Sequence, residues 1–159
     1  MSQLASLFAS LERTPLAKAI GSSTTLLASL SAVHLIGFTL IMGGAVVSNL
    51  RLAGMLFPMR TLGEIRRPAE RGMLIGLLVS VTTGFLLFSA RATDASRNSL
   101  FQIKMLALVA AVVCQFVLQP RVVPAEGDPG VGARSMGVIG LILWFALAVA
   151  ACAFLLLEQ

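Results

Sequence analysis

Four long apolar runs, separated by short polar segments, set the pattern of this chain. The runs cover residues 22–50, 72–90, 101–118 and 135–157. An α-helix rises about 1.5 Å per residue, so segments of this length can cross a hydrocarbon layer about 30 Å thick. The pattern therefore predicts an all-α integral membrane protein, an antiparallel four-helix bundle that forms one domain over residues 1–159.

A shorter amphipathic segment precedes the first run. Its apolar residues recur at i, i+3, i+4 and i+7, as Leu4, Leu7, Phe8 and Leu11. That spacing is typical of a helix that lies in the membrane interface with one apolar face buried. Thr14 and Pro15 then break or restart the helix, so we expect a short interfacial helix before the first span.

The connections between the spans carry turn and capping signals. Pro58 ends the first apolar run, and Pro68 marks a position where the second helix can begin. Between them, Thr61 and Glu64 predict a capping box, so this connection is compact and partly helical. The connection before the last span is flexible by composition, and Ser135 is its expected N-cap. The residues that make it flexible are Pro120, Pro124, Gly127, Pro129, Gly130 and Gly132.

Small residues recur every four positions along the second span, as Gly72, Gly76, Ser80 and Gly84. In lipid, hydrophobicity does not drive one helix against another, and small residues permit the close packing that does. Ala107 and Ala111 share this spacing on the third span, and Gly37, Gly44 and Ser48 lie on roughly one face of the first. These faces predict tight contacts inside the bundle, or between the subunits of a homo-oligomer or a larger membrane complex.

Composition supports a membrane protein and excludes a nucleic-acid partner. Apolar residues make up 57% of the chain, charged residues 12%, and the mean hydropathy is +0.93. A soluble domain of this size could not hide so much apolar surface in one core. The net charge is +5, but the Lys and Arg residues are scattered at span ends without interleaved aromatic residues. We interpret them as anchors to the lipid bilayer.

The distribution of these cations predicts the orientation of the chain. Seven Arg residues follow spans one and three, whereas five Lys and Arg residues lie on the opposite side. Because cytoplasmic loops carry the excess of positive charge, both termini are expected to be periplasmic in a bacterial inner membrane. No cleavable signal peptide is evident, so the first span is expected to act as an uncleaved insertion signal.

His34, the only histidine, is the first candidate for chemistry. It lies about ten residues into the first span, or roughly 15 Å deep, where an ionisable side chain is costly and often functional. Burial favours the neutral imidazole, which can ligate a metal. Gly37, one turn away, leaves room for a flat ligand or for a neighbouring helix. The structural alternative is a histidine that only hydrogen-bonds a Ser, a Thr or a carbonyl group on the next helix.

Lys104 is the second candidate. It lies near the start of the third span, on the same side of the membrane as the start of the first. It is either a lysine whose amine reaches the interface, or the partner of an anionic group such as a haem propionate beside His34. Arg51 lies about 25 Å further along the first span and is too distant to share that site.

Other residue types point to packing rather than chemistry. Trp144 lies inside the fourth span, which indicates a packing or cofactor-lining residue rather than an interfacial one. Cys114 and Cys152 form no CxxC pattern, and the methionines show no clustered spacing for copper. The sequence also lacks a Ser-His-Asp set, a phosphate loop and a zinc motif, which argues against hydrolysis and phosphoryl transfer.

Four segments resemble a family of uncharacterised bacterial four-helix membrane proteins. They are AVHLIGFTLIMGG (32–44), NLRLAGML (49–56), TTGFLLFSARA (82–92) and FQIKMLAL (101–108). That family is similar to the membrane domain of copper-resistance protein D and to the haem-binding membrane protoporphyrinogen oxidase of bacteria. The resemblance extends over most of the chain, from about residue 22 to residue 157.

The resemblance implies roles for two residues. A first-helix histidine followed by a Gly-Gly turn is matched by His34, Gly43 and Gly44, and an F-x-x-K pattern is matched by Phe101 and Lys104. In the protoporphyrinogen oxidase relatives this histidine and lysine are associated with haem and catalysis. The resemblance therefore implies haem at His34 and Lys104.

The chain departs from the family pattern in two ways. Asn49 stands where the family commonly has Asp, in Asp-Leu-Arg-Leu, which removes a carboxylate that could pair with Arg51. With one histidine, the chain also cannot place two imidazoles on one haem unless two subunits each contribute His34. Otherwise the haem is five-coordinate or takes Met or another sixth ligand.

Three functions follow as hypotheses. The leading one is a membrane protein that binds haem b through His34, with Lys104 near the propionates, for electron transfer or haem-linked redox chemistry. The second is a copper-handling or other small-solute transporter, whose pathway residues are His34, Ser80, Thr82, Thr83, Lys104 and Gln115. The third is a structural subunit of a larger membrane complex, in which the small residues of the second span make the contacts.

Overall fold

The computed structural model describes residues 2–57, 59–123 and 129–157, and only the backbone of residues 2–5 and 154–157. The helices are α1 (Ser2–Glu12), α2 (Pro15–Ser22), α3 (Thr24–Leu52), α4 (Leu62–Ser89), α5 (Ala92–Arg97), α6 (Ser99–Val113), a π-helix (Cys114–Leu118), α7 (Gln119–Val122) and α8 (Val131–Leu157). Within this part of the chain, four helical segments are long and apolar enough to cross a membrane. The chain is therefore a multi-pass membrane protein, and the predicted all-α four-helix bundle is confirmed.

Some of the predicted features lie outside the described residues. These are Pro58, Pro124, Gly127 and the side chain of Leu4.

Helix α3 packs against α4 and α8, and α8 also packs against α6. Helices α3 and α4 are antiparallel, because His34, in the first half of α3, contacts Thr83, near the end of α4, whereas Ser48 contacts Arg66, near the start of α4. Within the described residues, no Cα atom of α4 lies within 8 Å of one in α6. The stacked side chains of Phe88 and Phe101 join these two helices instead.

Small residues bring α3 and α4 together, as predicted. A Cβ at Gly76 would lie 2.5 Å from the Gly37 oxygen and 2.9 Å from the Leu40 Cβ. Ser80 and Gly84 face the same helix, but a Cβ at Gly72 would meet open space. The ridge on α4 is therefore a helix contact at three of its four positions. The apolar core beside this contact consists of Ile41, Ala45, Met73, Ala111, Trp144 and Leu147.

The second span begins ten residues earlier than the apolar run suggests. The predicted capping box is confirmed: Thr61 Oγ1 accepts from the Glu64 N–H at 3.3 Å, and Glu64 Oε2 accepts from the Thr61 N–H at 2.9 Å. This cap starts α4 at Leu62, so Pro68 lies inside the helix and not at its beginning.

The third span continues through Pro120, which the sequence assigned to a flexible connection. A proline inside a helix lacks an N–H group, and its ring crowds the carbonyl one turn earlier. Here the turn before Pro120 widens into the π-helix, in which the Gln119 N–H bonds to the Cys114 oxygen five residues back. The wider turn relieves the crowding, and the helix extends to Val122.

The predicted N-cap at Ser135 is wrong. The last helix begins at Val131, and Ser135 Oγ donates to the Val131 oxygen across 3.0 Å from inside the helix. A backbone bond from the Arg134 N–H to the Gly130 oxygen, also 3.0 Å, extends the first turn in front of Ser135.

The N-terminal segment consists of two helices, which confirms the predicted restart at Thr14 and Pro15. Thr14 Oγ1 caps α2 by accepting from the Ala17 N–H at 3.3 Å. The segment docks on the bundle through Glu12, whose Oε1 accepts from the Thr93 N–H at 2.7 Å. Its location in the membrane interface stays a prediction.

Candidate functional site

The His34 imidazole is hydrogen-bonded to a hydroxyl group of α4. Its Nδ1 lies 3.1 Å from Thr83 Oγ1, which in turn lies 2.7 Å from the Val79 oxygen. A hydroxyl group has one hydrogen to donate, and 2.7 Å is the usual length of a hydroxyl-to-carbonyl bond. We assign the Thr83 hydrogen to the Val79 oxygen, the nearer of the two carbonyls within its reach, and therefore assign His34 Nδ1 as the donor to Thr83. Nε2 then holds the lone pair that a metal ligand needs.

The packing of α3 on α4 fixes the position of the ring. A Cβ at Gly84 would lie 3.0 Å from Cε1 of His34, so the missing side chain makes room for the imidazole. Ser80 Oγ donates to the His34 backbone oxygen across 3.3 Å. A Cβ at Gly37 would lie 3.0 Å from the Gly76 oxygen, so α4 occupies the space beside Gly37. Of the two expected uses of Gly37, the structure shows the contact with a neighbouring helix.

The structure places Lys104 at the same end of the bundle as His34. Thr83, which contacts His34, and Phe88 both lie near the end of α4. The Lys104 Nζ lies 5.2 Å from the ring centroid of Phe101, which stacks on Phe88 with the centroids 5.3 Å apart. The quadrupole of an aromatic ring attracts a cation over its face. Lys104 is therefore positioned beside an aromatic pair that bridges α4 and α6.

The residues considered for a transport pathway do not line one continuous path. Thr82 is exposed on the outside of α4, whereas Ser80 and Thr83 contact His34. Gln115 hydrogen-bonds with Asn49, near the opposite end of α3. The candidates other than Thr82 therefore lie at two separate places, one around His34 and one around Gln115.

The second cluster, which we call the amide network, lies at the end of the bundle away from His34. It consists of Ser48, Asn49, Arg66, Glu70, Gln115 and Gln119. All of them except Glu70 are buried. Lipid offers no hydrogen-bond partners, so polar groups inside a membrane bundle must bond to one another.

Asn49 is the centre of the amide network. Its Nδ2 donates to Gln115 Oε1 and to the Ala45 oxygen, each at 2.8 Å. Its Oδ1 accepts from Gln119 Nε2 at 2.6 Å. Gln119 Nε2 also donates to the Met136 oxygen across 3.2 Å. These bonds join α3 to the third span and to α8.

Arg66 connects α4 to the same network. Its Nε lies 3.4 Å from Ser48 Oγ, and its Nη2 lies 3.4 Å from Gln119 Oε1 and forms an ion pair with Glu70. The sequence interpretation of the Arg residues as interfacial anchors is wrong for Arg66 and for Arg51, because both are buried. Hydrogen-bond acceptors on neighbouring elements of the bundle hold Arg66 inside.

Two glycines let α8 approach the amide network closely. A Cβ at Gly140 would contact Asn49 Oδ1 and would lie 2.7 Å from Gln119 Nε2. A Cβ at Gly137 would lie 2.8 Å from the Asn49 backbone oxygen. Trp144, one turn further, donates from Nε1 to Gln115 Oε1 at 3.4 Å. Trp144 is therefore a packing residue with a polar contact to the network.

Sequence reasoning missed the amide network, although a signal was present. Gln115 and Gln119, like Arg66 and Glu70, are polar residues four positions apart, which places each pair on one helix face. Polar residues that share a face of a membrane helix are expected to face the bundle interior.

The two clusters differ in what they can do chemically. The members of the amide network bond to one another, which rigidifies a buried cluster. At the other end, the lone pair on His34 Nε2 has no hydrogen-bond partner among the described residues. Those residues contain no group of three or more His, Cys, Asp or Glu that could hold a metal ion. Haem iron needs only one such ligand from the chain.

Comparisons with protein-family models, curated proteins and solved structures find no match for this chain. The resemblance to the copper-resistance protein D and protoporphyrinogen oxidase relatives therefore stays an expectation.

Proposed function

We propose that the chain binds haem b within the membrane, with His34 Nε2 as an axial ligand and Lys104 beside a propionate. Bound haem supplies one-electron transfer, which suits a membrane redox protein. The observation that carries the proposal is the hydrogen bond between His34 Nδ1 and Thr83 Oγ1. A hydrogen bond to one ring nitrogen sets the tautomer, orients the ring and raises the basicity of the other nitrogen as a ligand.

The residues around His34 fit this role. Thr83 orients the imidazole, Gly84 leaves space for it, and Ser80 joins the backbone of α3 to α4 at the same level. Gly37 contributes indirectly, because its contact with α4 allows His34 and Thr83 to come within bonding distance. The chain has one histidine, so a second imidazole on the same iron requires a second subunit.

Lys104 supports the proposal through its charge. A propionate carboxylate near a membrane boundary needs a cation. Lys104 lies over Phe101, which stacks on Phe88 near the end of α4 that also carries Thr83, the partner of His34. A charge-assisted bond of this kind contributes about 1.5–3 kcal/mol when it is partly buried.

The test is a haem titration of the full chain in mild detergent, followed by visible absorption. The wild-type protein is expected to develop a Soret band, with the amount of bound haem set by the number of His34 side chains. His34→Ala is expected to lose this band. Circular dichroism establishes whether His34→Ala keeps the helical content of the wild type. A wild-type protein that stays colourless after haemin is added contradicts the proposal.

Lys104 variants test the second part of the proposal. Lys104→Met is expected to weaken haem binding or to shift its midpoint potential, whereas Lys104→Arg keeps the charge and should preserve both. If Lys104→Met changes neither spectrum, affinity nor potential, Lys104 is an interfacial anchor, and the haem proposal is reduced to His34.

We also propose a bacterial inner membrane location with both termini in the periplasm. The distribution of Lys and Arg between the two sides supports this orientation. Two of the arginines counted on the cytoplasmic side, Arg51 and Arg66, are buried. Reporter fusions at the C-terminus and in the connection between α3 and α4 test the orientation. Activity of a periplasmic reporter in that connection would contradict it.

A further inference from the structure

Two arginines flank the turn that follows α3. Arg51 lies in the last turn of α3, and its backbone oxygen accepts from the Gly54 N–H at 3.1 Å. Gly54 has a φ of +79°, a conformation that favours glycine. A Cβ built on Gly54 would lie 3.6 Å from Nε of Arg134, a residue in the first turn of α8. The turn thus brings arginines from α3 and α8 to one end of the bundle.

Arg51 is buried without a carboxylate partner among the described residues. Arg51 is only 4% exposed. Nη2 donates to the Arg60 backbone oxygen, and Nε has no hydrogen-bond partner among those residues. The carbonyl groups at the end of α3 compensate part of the charge, because the C-terminus of a helix attracts cations. A buried guanidinium nevertheless needs an anionic partner to offset its desolvation.

Arg134 is also without a carboxylate partner in the described part of the chain. Its Nε donates to the Pro129 backbone oxygen across 3.0 Å. Its side chain is exposed, so part of the guanidinium remains accessible beside the turn. The described part of the chain has an ion pair between Arg66 and Glu70, but that pair belongs to the amide network and involves neither Arg51 nor Arg134.

We propose that Arg51 and Arg134 bind the phosphate group of an anionic phospholipid at this end of the bundle. A guanidinium presents several N–H donors in one plane, which matches the oxygens of a phosphate group. Basic sites between membrane helices are known to hold anionic headgroups. The proposal is independent of haem, since Arg51 lies about 25 Å along α3 from His34.

The apolar side chains of the turn favour a lipid over free phosphate. Met55 is 72% exposed, Phe57 50% and Met59 96%, all within one short connection. Side chains of this kind beside a cationic group match the boundary between acyl chains and headgroups. A lipid phosphate at Arg51 and Arg134 would bring its acyl chains to the same surface.

The test measures binding of three probes to the full chain in mild detergent by native mass spectrometry. The probes are phosphatidylglycerol, phosphatidylcholine and inorganic phosphate. Phosphatidylglycerol is expected to bind about tenfold more tightly than phosphatidylcholine, and Arg134→Gln should reduce that preference by about tenfold, the effect of one charge-assisted bond. Arg97→Gln, an exposed arginine in α5, is the matched control and should leave the preference unchanged.

Further outcomes decide between the sources of the phosphate group. If inorganic phosphate binds as tightly as phosphatidylglycerol, with the same dependence on Arg134, the anion site stands and the lipid is rejected. Arg51→Lys, which keeps the buried charge but loses the planar fork, should weaken phosphatidylglycerol binding in a protein that remains folded. Equal binding of both lipids, or equal effects of Arg134→Gln and Arg97→Gln, would overturn the proposal.

Discussion

Gln119 Nε2 lies 2.6 Å from Asn49 Oδ1, so an amide group of the third span donates directly to an amide group of the first. Both side chains are fully buried. A buried polar group that loses its partner costs about 1–3 kcal/mol, whereas replacement of both partners by apolar groups can be nearly neutral. The effects of replacing the two residues are therefore expected to be coupled.

Asn49→Leu and Gln119→Leu are each expected to lower the free energy of unfolding by about 1–3 kcal/mol. The double variant should lose less than the sum of the two, with a coupling of about 0.5–3 kcal/mol. Denaturant titrations in mixed micelles, followed by circular dichroism, measure these values. Thr39→Val is the control, because Thr39 is exposed on α3 and bonds only within its own helix, to the Leu35 oxygen. Additive effects of the two substitutions would show that the amides act independently.

Gly140 is expected to tolerate no side chain, because a Cβ there would contact Asn49 Oδ1. Gly140→Ala should destabilise the bundle by about 1–3 kcal/mol, the usual cost of overpacking. Gly43 is the matched control, since it also lies inside a helix but faces open space. Gly43→Ala should be neutral or stabilising by up to about 1 kcal/mol, as alanine is the better helix former. Thermal unfolding of the two variants should separate them clearly.

The sequence predicted the elements of the fold better than their ends. The apolar runs identified the four spans because lipid exposure demands long apolar helices, and Thr61 with Glu64 marked the cap of α4. The observed helix ends differed from the predicted ones where a proline was taken as the boundary of a helix. Pro68 and Pro120 read as helix boundaries, yet both lie inside helices, since a cap upstream of Pro68 and a π-helix upstream of Pro120 accommodate them.

The candidate site could be predicted only in part. His34 was evident as the one membrane histidine, but its bond to Thr83 depends on the register of α3 against α4, which the sequence does not specify. The amide network likewise depends on how the helices pack against one another, which the sequence does not specify. Asn49 and Gln119 are 70 positions apart, and their contact follows from the packing of α3 against the third span and α8.

Gly76 is expected to be the most sensitive position of the ridge on α4. A Cβ there would lie 2.5 Å from the Gly37 oxygen, a backbone atom that cannot move aside without shifting α3. Gly76→Ala should cost about 1–3 kcal/mol in the free energy of unfolding. Gly72→Ala, four residues earlier and facing open space, should be neutral or slightly stabilising. Equal sensitivity at both positions would indicate that a contact outside the bundle, such as a second subunit, covers Gly72.

The hydrogen bond between His34 and Thr83 predicts a single tautomer of the free imidazole. Nδ1 should be protonated and Nε2 should carry the lone pair, because the Thr83 hydrogen is directed to the Val79 oxygen. His34 is the only histidine, so selective nitrogen-15 labelling gives one imidazole whose two chemical shifts report the tautomer. Thr83→Val removes the acceptor of the Nδ1 hydrogen and should yield a mixture of tautomers, whereas Thr83→Ser keeps the hydroxyl group and should preserve the wild-type spectrum.

The same variants connect this tautomer with haem binding. If Nε2 is the ligand, Thr83→Val should weaken haem binding by about tenfold, the effect expected when a ligating histidine loses its hydrogen-bond partner. Thr83→Ser keeps that partner and should not weaken binding. The nitrogen-15 spectrum of the haem-free protein is a separate measurement, so it tests the geometry even if no haem binds. A wild-type imidazole protonated on Nε2 would contradict the assignment of the Thr83 hydrogen to Val79 and would leave Nδ1, which Thr83 covers, as the unprotonated nitrogen.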